Sequence, residues 1–547
     1  MALNKILAVS TALLMAAIGI APVATAAPVR IESGLIDGVE AGGISIYKGI
    51  PFAAPPLGDL RWRPPAAPPH WSGVRHATSF APACMQDQHM NAVWGLPVLP
   101  TSEDCLYLNV WTPAQKSGER LPVMVWIYGG GFAMGGTAFP SYDGVSLARK
   151  GVVMVSIAYR VGAFGFLADP ALSAESGHGS GEYGLLDQIA ALRWVRRNIA
   201  RFGGDPNRVT IFGESAGGFS VAMLSQSPLA KNLFQRAISE SGGAMAPAKR
   251  DDEGGQQTPL LSEAEHNGAQ FLAVLGAHSI AEARKLPAEK FLTGPGIVMG
   301  GFWPNIDGYV LPGDPYIAYQ QRRYNDIPIL VGINSDEGAM FIPTTSVADF
   351  TASVRKGYGP YADRILAAYP AGNDAEALRS SRDLFSDTGF GWNSWTWARL
   401  QTETGKSKAF VYFFNHPPPP RVPSQPRDPG AIHGSELGYV FGTLPPNADA
   451  GDRAMSDAIE TYWVNFARTG NPNGKGALPW PAFDNAQRSV MRFDRTPDAG
   501  TLTNLARLIL LDKYYAWRRD QLKNVPGYFG RQETSAADCA CGGGHSP

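Results

Sequence analysis

Ser215 stands in Gly213-Glu214-Ser215-Ala216-Gly217, the only G-x-S-x-G match in the 547-residue chain. A serine hydroxyl is a weak nucleophile; it needs a base, and the base needs an acid to orient it. The β-prone stretch "RVTIF" (208–212) precedes Ser215 and a small, helix-compatible stretch follows it. The spacing therefore predicts a sharp strand-to-helix turn, with Gly213 and Gly217 supplying room. The N-terminus of that helix favours negative charge beside the serine. Of the nine histidines, His433 lies on a loop after a predicted strand (408–415), late in the chain. That position suits the base in the order serine, acid, histidine. The acid is expected between them. "PILVGINSDEG" ends a predicted strand in two carboxylates, Asp336 and Glu337, and the residues alone do not choose between them. Gly129, Gly130 and Gly131 follow another predicted strand (121–128). Their main-chain amides, with the N–H of Ala216, are candidates to receive an oxyanion. The Lys-Ser/Thr ending of a phosphate loop does not follow these glycines.

The elements that must carry these groups read as follows. "LYLNVW" (106–111), "LPVMVWIY" (121–128) and "GVVMVSIAY" (151–159) are near-continuous apolar runs, as in strands buried on both faces of a parallel sheet. "FQRAISES" (234–241), "DIPILVGIN" (326–334) and "KAFVYFFN" (408–415) continue the series, and residues 29–48 read as short strands broken by glycines. "GLLDQIAALRWVRRNIARF" (184–202) has helical spacing and stops at "GGDP". Strands alternating with helices predict an α/β fold with a large, mostly parallel central sheet. Segments 250–300 and 345–405, more helical and polar, are expected as insertions forming a cap above it. The proline cluster at 416–430 is expected as an extended loop. The aromatics of "GFGWNSWTW" (389–397) and "GGFWP" (300–304) read mainly as core, with the lining of an apolar gorge as the alternative.

Composition is that of a globular protein: 44% hydrophobic, 17% charged, net charge −1. No basic stripe points to nucleic acid. Residues 1–26 read as a cleaved signal peptide: Lys5, the apolar run "ILAVSTALLMAAIGIA", and "ATA" at 24–26. Export to the periplasm or medium is expected, without a stable membrane span afterwards. Residues 27–531 read as one domain and 532–547 as a disordered tail holding Cys539, Cys541 and His545. No metal or other cofactor is expected, and oligomeric state is left open.

Taken together, several stretches resemble the type-B carboxylesterase family, which includes cholinesterases and some fungal lipases. "FGGDPNRVTIFGESAGG" (202–218) resembles its nucleophile signature and "EDCLYLNVW" (103–111) its second signature. "YKGIPFAAPPLGDLRWRPP", "WIYGGGF", "YRVGAFGFL", "NSDEG" and "GAIHGSELGYVFG" match in order, over roughly residues 28–525. The resemblance implies an α/β-hydrolase fold and hydrolysis of small carboxylic esters through an acyl-enzyme. It implies a triad of Ser215, Glu337 and His433, and an oxyanion hole from Gly130, Gly131 and Ala216. It implies a Cys84–Cys105 disulfide, supporting hydrogen bonds from Glu214 and Ser241, and a salt bridge of Arg61 with Glu103 and Asp104. Two departures stand out: Gly181-Glu182 where the family often has Gly-Asn, and no cysteines for a second disulfide. Trp94, near the cholinesterase cation-binding aromatic, reads as loop packing. Lipase action on longer acyl chains and a non-catalytic binding module of the same fold are the alternative functions.

Overall fold

The computed structural model describes residues 24–93, 95–248, 258–292, 301–420, 427 and 430–528. The expected signal peptide up to residue 23, Trp94, part of the proline cluster, and the tail with Cys539, Cys541 and His545 lie outside the described residues. Twelve strands form one continuous sheet path. They are β1 (Ala24–Ile31), β2 (Gly34–Ala41), β3 (Ile44–Pro51), β4 (Tyr107–Thr112), β5 (Leu121–Ile127) and β6 (Val153–Ile157), then β7 (Gly204–Glu214), β8 (Arg236–Glu240), β9 (Ile329–Asn334), β10 (Ala409–Phe414), β11 (Ser489–Phe493) and β12 (Asp498–Thr501). A thirteenth, Val74–His76, pairs with β2. The order is β1-β2-β3-β4-β6-β5-β7-β8-β9-β10-β11-β12. From β6 to β11 every neighbour is parallel. These central strands are the apolar runs of the sequence. β5, β6 and β9 are buried almost end to end, because helices cover both faces of a parallel sheet. β1 begins at Ala24, so its first three residues are the expected cleavage motif. β11 and β12 were not legible in the sequence. Each has at most five residues, and charged or glycine residues interrupt its alternation.

The helices used below are α1 (Tyr183–Asn198), α2 (Ala216–Gln226), α3 (Leu261–Val274), α4 (Asp374–Ser386), α5 (Trp392–Thr404), α6 (Ala450–Thr469) and α7 (Leu505–Leu522). α1 passes into a tighter turn over Ile199–Phe202 and stops at Gly203, whose φ of 78° is the left-handed cap that glycine adopts without penalty. The expected segment 345–405 is only partly a polar insertion. α5 packs directly on β9 and β10, with Trp392, Trp395 and Trp397 buried.

Cys84 and Cys105 form a disulfide. Arg61 grips Glu103 with two parallel hydrogen bonds of 2.8 and 2.6 Å and donates to the Ala283 and Leu286 carbonyls. Asp104 bonds Tyr107 instead. Glu182, the departure before α1, accepts the Asn305 N–H at 2.5 Å. Burial and nearby Asp307 push its carboxyl well above the usual range. In the proline loop, His416 meets Asp452 at 2.8 Å and Arg427 forks onto Asp449 and Asp452, tying the loop to the start of α6.

Candidate active site

β7 ends at Glu214, and Ser215 takes φ 56° and ψ −126° before α2 begins at Ala216. A non-glycine residue holds such a conformation only where its surroundings compel it. Here α2 is pressed against the strand ends. A Cβ on Gly217 would lie 1.9 Å from the Ile127 carbonyl oxygen, and one on Gly213 would lie 2.6 Å from that same oxygen. The two glycines of the motif are therefore required by close backbone approach, and Ser215 rides at the crest between them. Gly129 packs on the other side: a Cβ there would meet Ser215 Cβ at 2.9 Å.

The loops after β9 and β10 supply the partners. Asp336 pairs in parallel with Ile432, and the Asp336 N–H donates to Ala431 O at 2.9 Å. That bridge sets the next residue on each segment side by side: Glu337, which opens a short 3-10 turn, and His433. Glu337 Oε2 lies 2.5 Å from His433 Nδ1, while Asp336 points elsewhere and is half-buried. The other Glu337 oxygen accepts from the Asn334 N–H at 2.7 Å and the Ser241 hydroxyl at 2.5 Å. Gly338 lets this turn dock on α4, since a Cβ would lie 2.3 Å from Arg382 O; its N–H donates to Ser386 Oγ at 2.9 Å. His433 Nε2 lies 3.1 Å from Glu214 Oε1 but makes no hydrogen bond.

Ser215, His433 and Glu214 line one cavity of about 280 Å³ with Gly129, Gly130 and Gly131. Its remaining walls are largely apolar, including Leu96, Met134, Phe139, Met340, Phe341 and Leu437. Gly130 and Gly131 have φ of 109° and 62°. Among the described residues, the N–H groups of Gly130, Gly131 and Ala216 donate to no protein acceptor. The aromatics read mainly as core are core: Trp392, Trp395 and Trp397 are buried, Trp303 packs on Phe132 and Phe219, and none of the four lines this cavity as the gorge alternative required.

Two further carboxyls, missed in the sequence, belong to the same buried cluster. Glu436, three residues after His433, accepts from Asn334 Nδ2 at 2.5 Å. Glu240, at the end of β8, accepts from Trp463 Nε1 at 2.7 Å, and its carbonyl accepts the Ser215 N–H at 2.9 Å. The spacing of Glu436 from His433 was the available signal; Glu240 gave none. Burial, together with Glu214 and Glu337, pushes Glu436 up to about 8. Burial pushes Glu214 up to about 7 even though His433 opposes it. Burial alone would lower His433, but Glu214, Glu337 and Glu436 outweigh it and raise the imidazole to about 9.

The carboxylesterase family model matches residues 25–508. The chain belongs to the carboxylesterase family. It is 40% identical over 492 residues to the fumonisin B1 esterase of Sphingopyxis macrogoltabida, covering 86% of each chain. It is 39% identical over 486 residues to the liver carboxylesterase of Sus scrofa, covering 81% of this chain and 84% of that one. A solved PNB esterase structure superposes with a TM-score of 0.77 at 33% identity, over 88% of this chain and 99% of the other. This carboxylesterase-family protein is thus an α/β hydrolase and a carboxylic-ester hydrolase. Among the described residues, no helix is long and apolar enough to cross a membrane, and no cluster of His, Cys, Asp and Glu is arranged to hold a metal ion.

Proposed function

We propose that the chain is an exported serine esterase working through an acyl-enzyme on Ser215. The observation that carries this reading is the 2.5 Å contact of Glu337 with His433 Nδ1, in a cavity the Ser215 side chain also lines. His433 Nε2 takes the Ser215 proton as Oγ attacks the ester carbonyl, and Glu337 holds the imidazole and stabilises its cation. The N–H groups of Gly130, Gly131 and Ala216 receive the oxyanion. The protonated Nε2 then delivers its proton to the departing alcohol. Water, deprotonated by the same nitrogen, releases the acid and restores Ser215. Glu214 and Ser241 support the histidine and its acid partner. The apolar walls suit esters uncharged near the carbonyl, with small acyl and alcohol groups. Export rests on the apolar N-terminal run and on the Cys84–Cys105 disulfide, which persists in oxidising compartments.

The test uses soluble p-nitrophenyl esters of increasing acyl length, emulsified triglyceride, and a fluorophosphonate probe. Wild type should turn over short esters fastest and label once per chain. Ser215→Ala should take up no label and lose roughly 10⁴-fold or more in kcat. Turnover surviving in Ser215→Ala overturns the nucleophile assignment, and faster action on emulsified triglyceride overturns the small-ester reading.

A further inference from the structure

Between α4 and α5 the helix does not break; it loosens into one π-helical turn over Asp387–Gly391. The Trp392 N–H reaches back five residues to Asp387 O, where a regular α-helix would reach four. This wider turn leaves carbonyls that need other donors. The Asn393 side chain supplies them, donating to Thr388 O at 3.2 Å and Gly389 O at 3.0 Å. Its own oxygen accepts from the Met245 and Ala246 N–H groups at 2.8 and 3.0 Å, fastening the turn to the segment that follows Ser241. Asp387 anchors the start: it accepts from Tyr369 and Asn504 at 2.8 and 2.5 Å, and the Arg507 guanidinium pairs with it as an ion at 2.8 Å. A feature secured from so many sides is not an irregularity of the helix, and π-turns concentrate at functional sites.

The turn aims Phe390. Its ring stacks on His433 with centroids 4.8 Å apart and planes 24° from parallel. Phe390 is fully buried and does not line the substrate cavity, while Phe341 touches the same imidazole at 5.1 Å and does line it. An α-helical turn would rotate a residue at this point by about 100°, carrying the ring off the imidazole.

The geometry points to Phe390 as a positioning residue of the reaction, aimed by a π-turn that Asn393 braces. Its ring face fixes the tilt of His433 while Glu337 fixes Nδ1, so two restraints from different elements direct Nε2. The ring's negative face also favours the imidazolium that forms as Ser215 attacks. The charged groups acting on His433 are Glu214 at the end of β7, Glu337 after β9, and Glu436 on the turn after His433 itself. None of them changes when Phe390 is replaced. This inference rests on the triad reading above.

The experiment compares wild type, Phe390→Leu, and the full-length protein with pentafluorophenylalanine at 390. That analogue keeps the ring's shape and inverts its quadrupole. Active sites are counted with the fluorophosphonate probe, and kcat, KM and the pH profile are measured on one short p-nitrophenyl ester. Phe390→Leu should lower kcat about tenfold with KM within twofold. Both variants should move the acid limb of kcat/KM to lower pH by roughly 0.5 unit, because the imidazolium loses a favourable neighbour. An unmoved limb in the fluorinated protein overturns the inference, as does a raised KM with kcat unchanged in Phe390→Leu. If Phe390→Leu does not fold, the fluorinated protein decides alone. Failure of the triad reading is distinct: wild type would then neither label nor turn over ester.

Discussion

Two buried charge clusters of this molecule are built on opposite principles. Beside α1, Arg160 and Asp187 form a fork of two 2.8 Å hydrogen bonds, both residues essentially out of water. One cation meets one anion, and the Arg160 N–H and the Arg63 carbonyl take up further hydrogen-bonding capacity. Beside Ser215, the buried glutamates Glu214, Glu240, Glu337 and Glu436 form one cluster, and three of them, Glu214, Glu337 and Glu436, act on the single imidazole of His433. The first cluster is balanced and holds strands, loops and α1 together. The second is unbalanced: burial raises Glu214 and Glu436, neighbouring carboxylates raise them further, and the same carboxylates raise His433 against its burial. Buried charge that serves architecture is paired off; buried charge that serves chemistry is left able to move a proton.

Three substitutions separate the two clusters, in falling order of effect. Glu337→Gln leaves the shape of the site intact but removes the charge that holds the His433 tautomer. It should lower kcat about 10³–10⁴-fold, roughly 4–5.5 kcal/mol, with a thermal midpoint near wild type. A midpoint that collapsed with activity would mean that this cluster is architectural as well. Asp187→Ala strips a buried cation of its partner and should cost about 3–5 kcal/mol of stability. Kinetics per labelled active site should stay within threefold. Urea unfolding and probe titration check both, and a large change in kcat per site would erase the distinction between the clusters.

Glu214→Gln removes one of the carboxylates that raise His433, so the imidazole loses its proton at lower pH. A general base works when neutral, so the acid limb of kcat/KM should move to lower pH by about one unit, worth about 1.4 kcal/mol. A limb that moved to higher pH would contradict the cause assigned to the raised imidazole.

Much of this was legible in the chain. The buried parallel strands announce themselves as apolar runs because both faces are covered, and α1 announces itself by its period. The short edge strands β11 and β12 do not, since each contributes only a few alternating positions. α5 was grouped with the cap because the segment 345–405 as a whole is polar and helical, although its tryptophans already read mainly as core.

The sequence by itself determined the nucleophile turn. Glycine at 213 and 217 and a strand-like run before Ser215 are local requirements, and local requirements are written in adjacent residues. It also carried the proposed order of serine, acid and histidine, and through resemblance the family and the Cys84–Cys105 pair. Only the tertiary structure sets Glu337, and not Asp336, against His433, because that contact depends on a pairing of Asp336 with Ile432 across 96 residues. It alone set Glu436 and Phe390 against His433 and brought Glu240 into the same buried carboxyl cluster. Burial, proximity of charge and ring stacking depend on what lies across the fold, and no spacing along the chain encodes that distance.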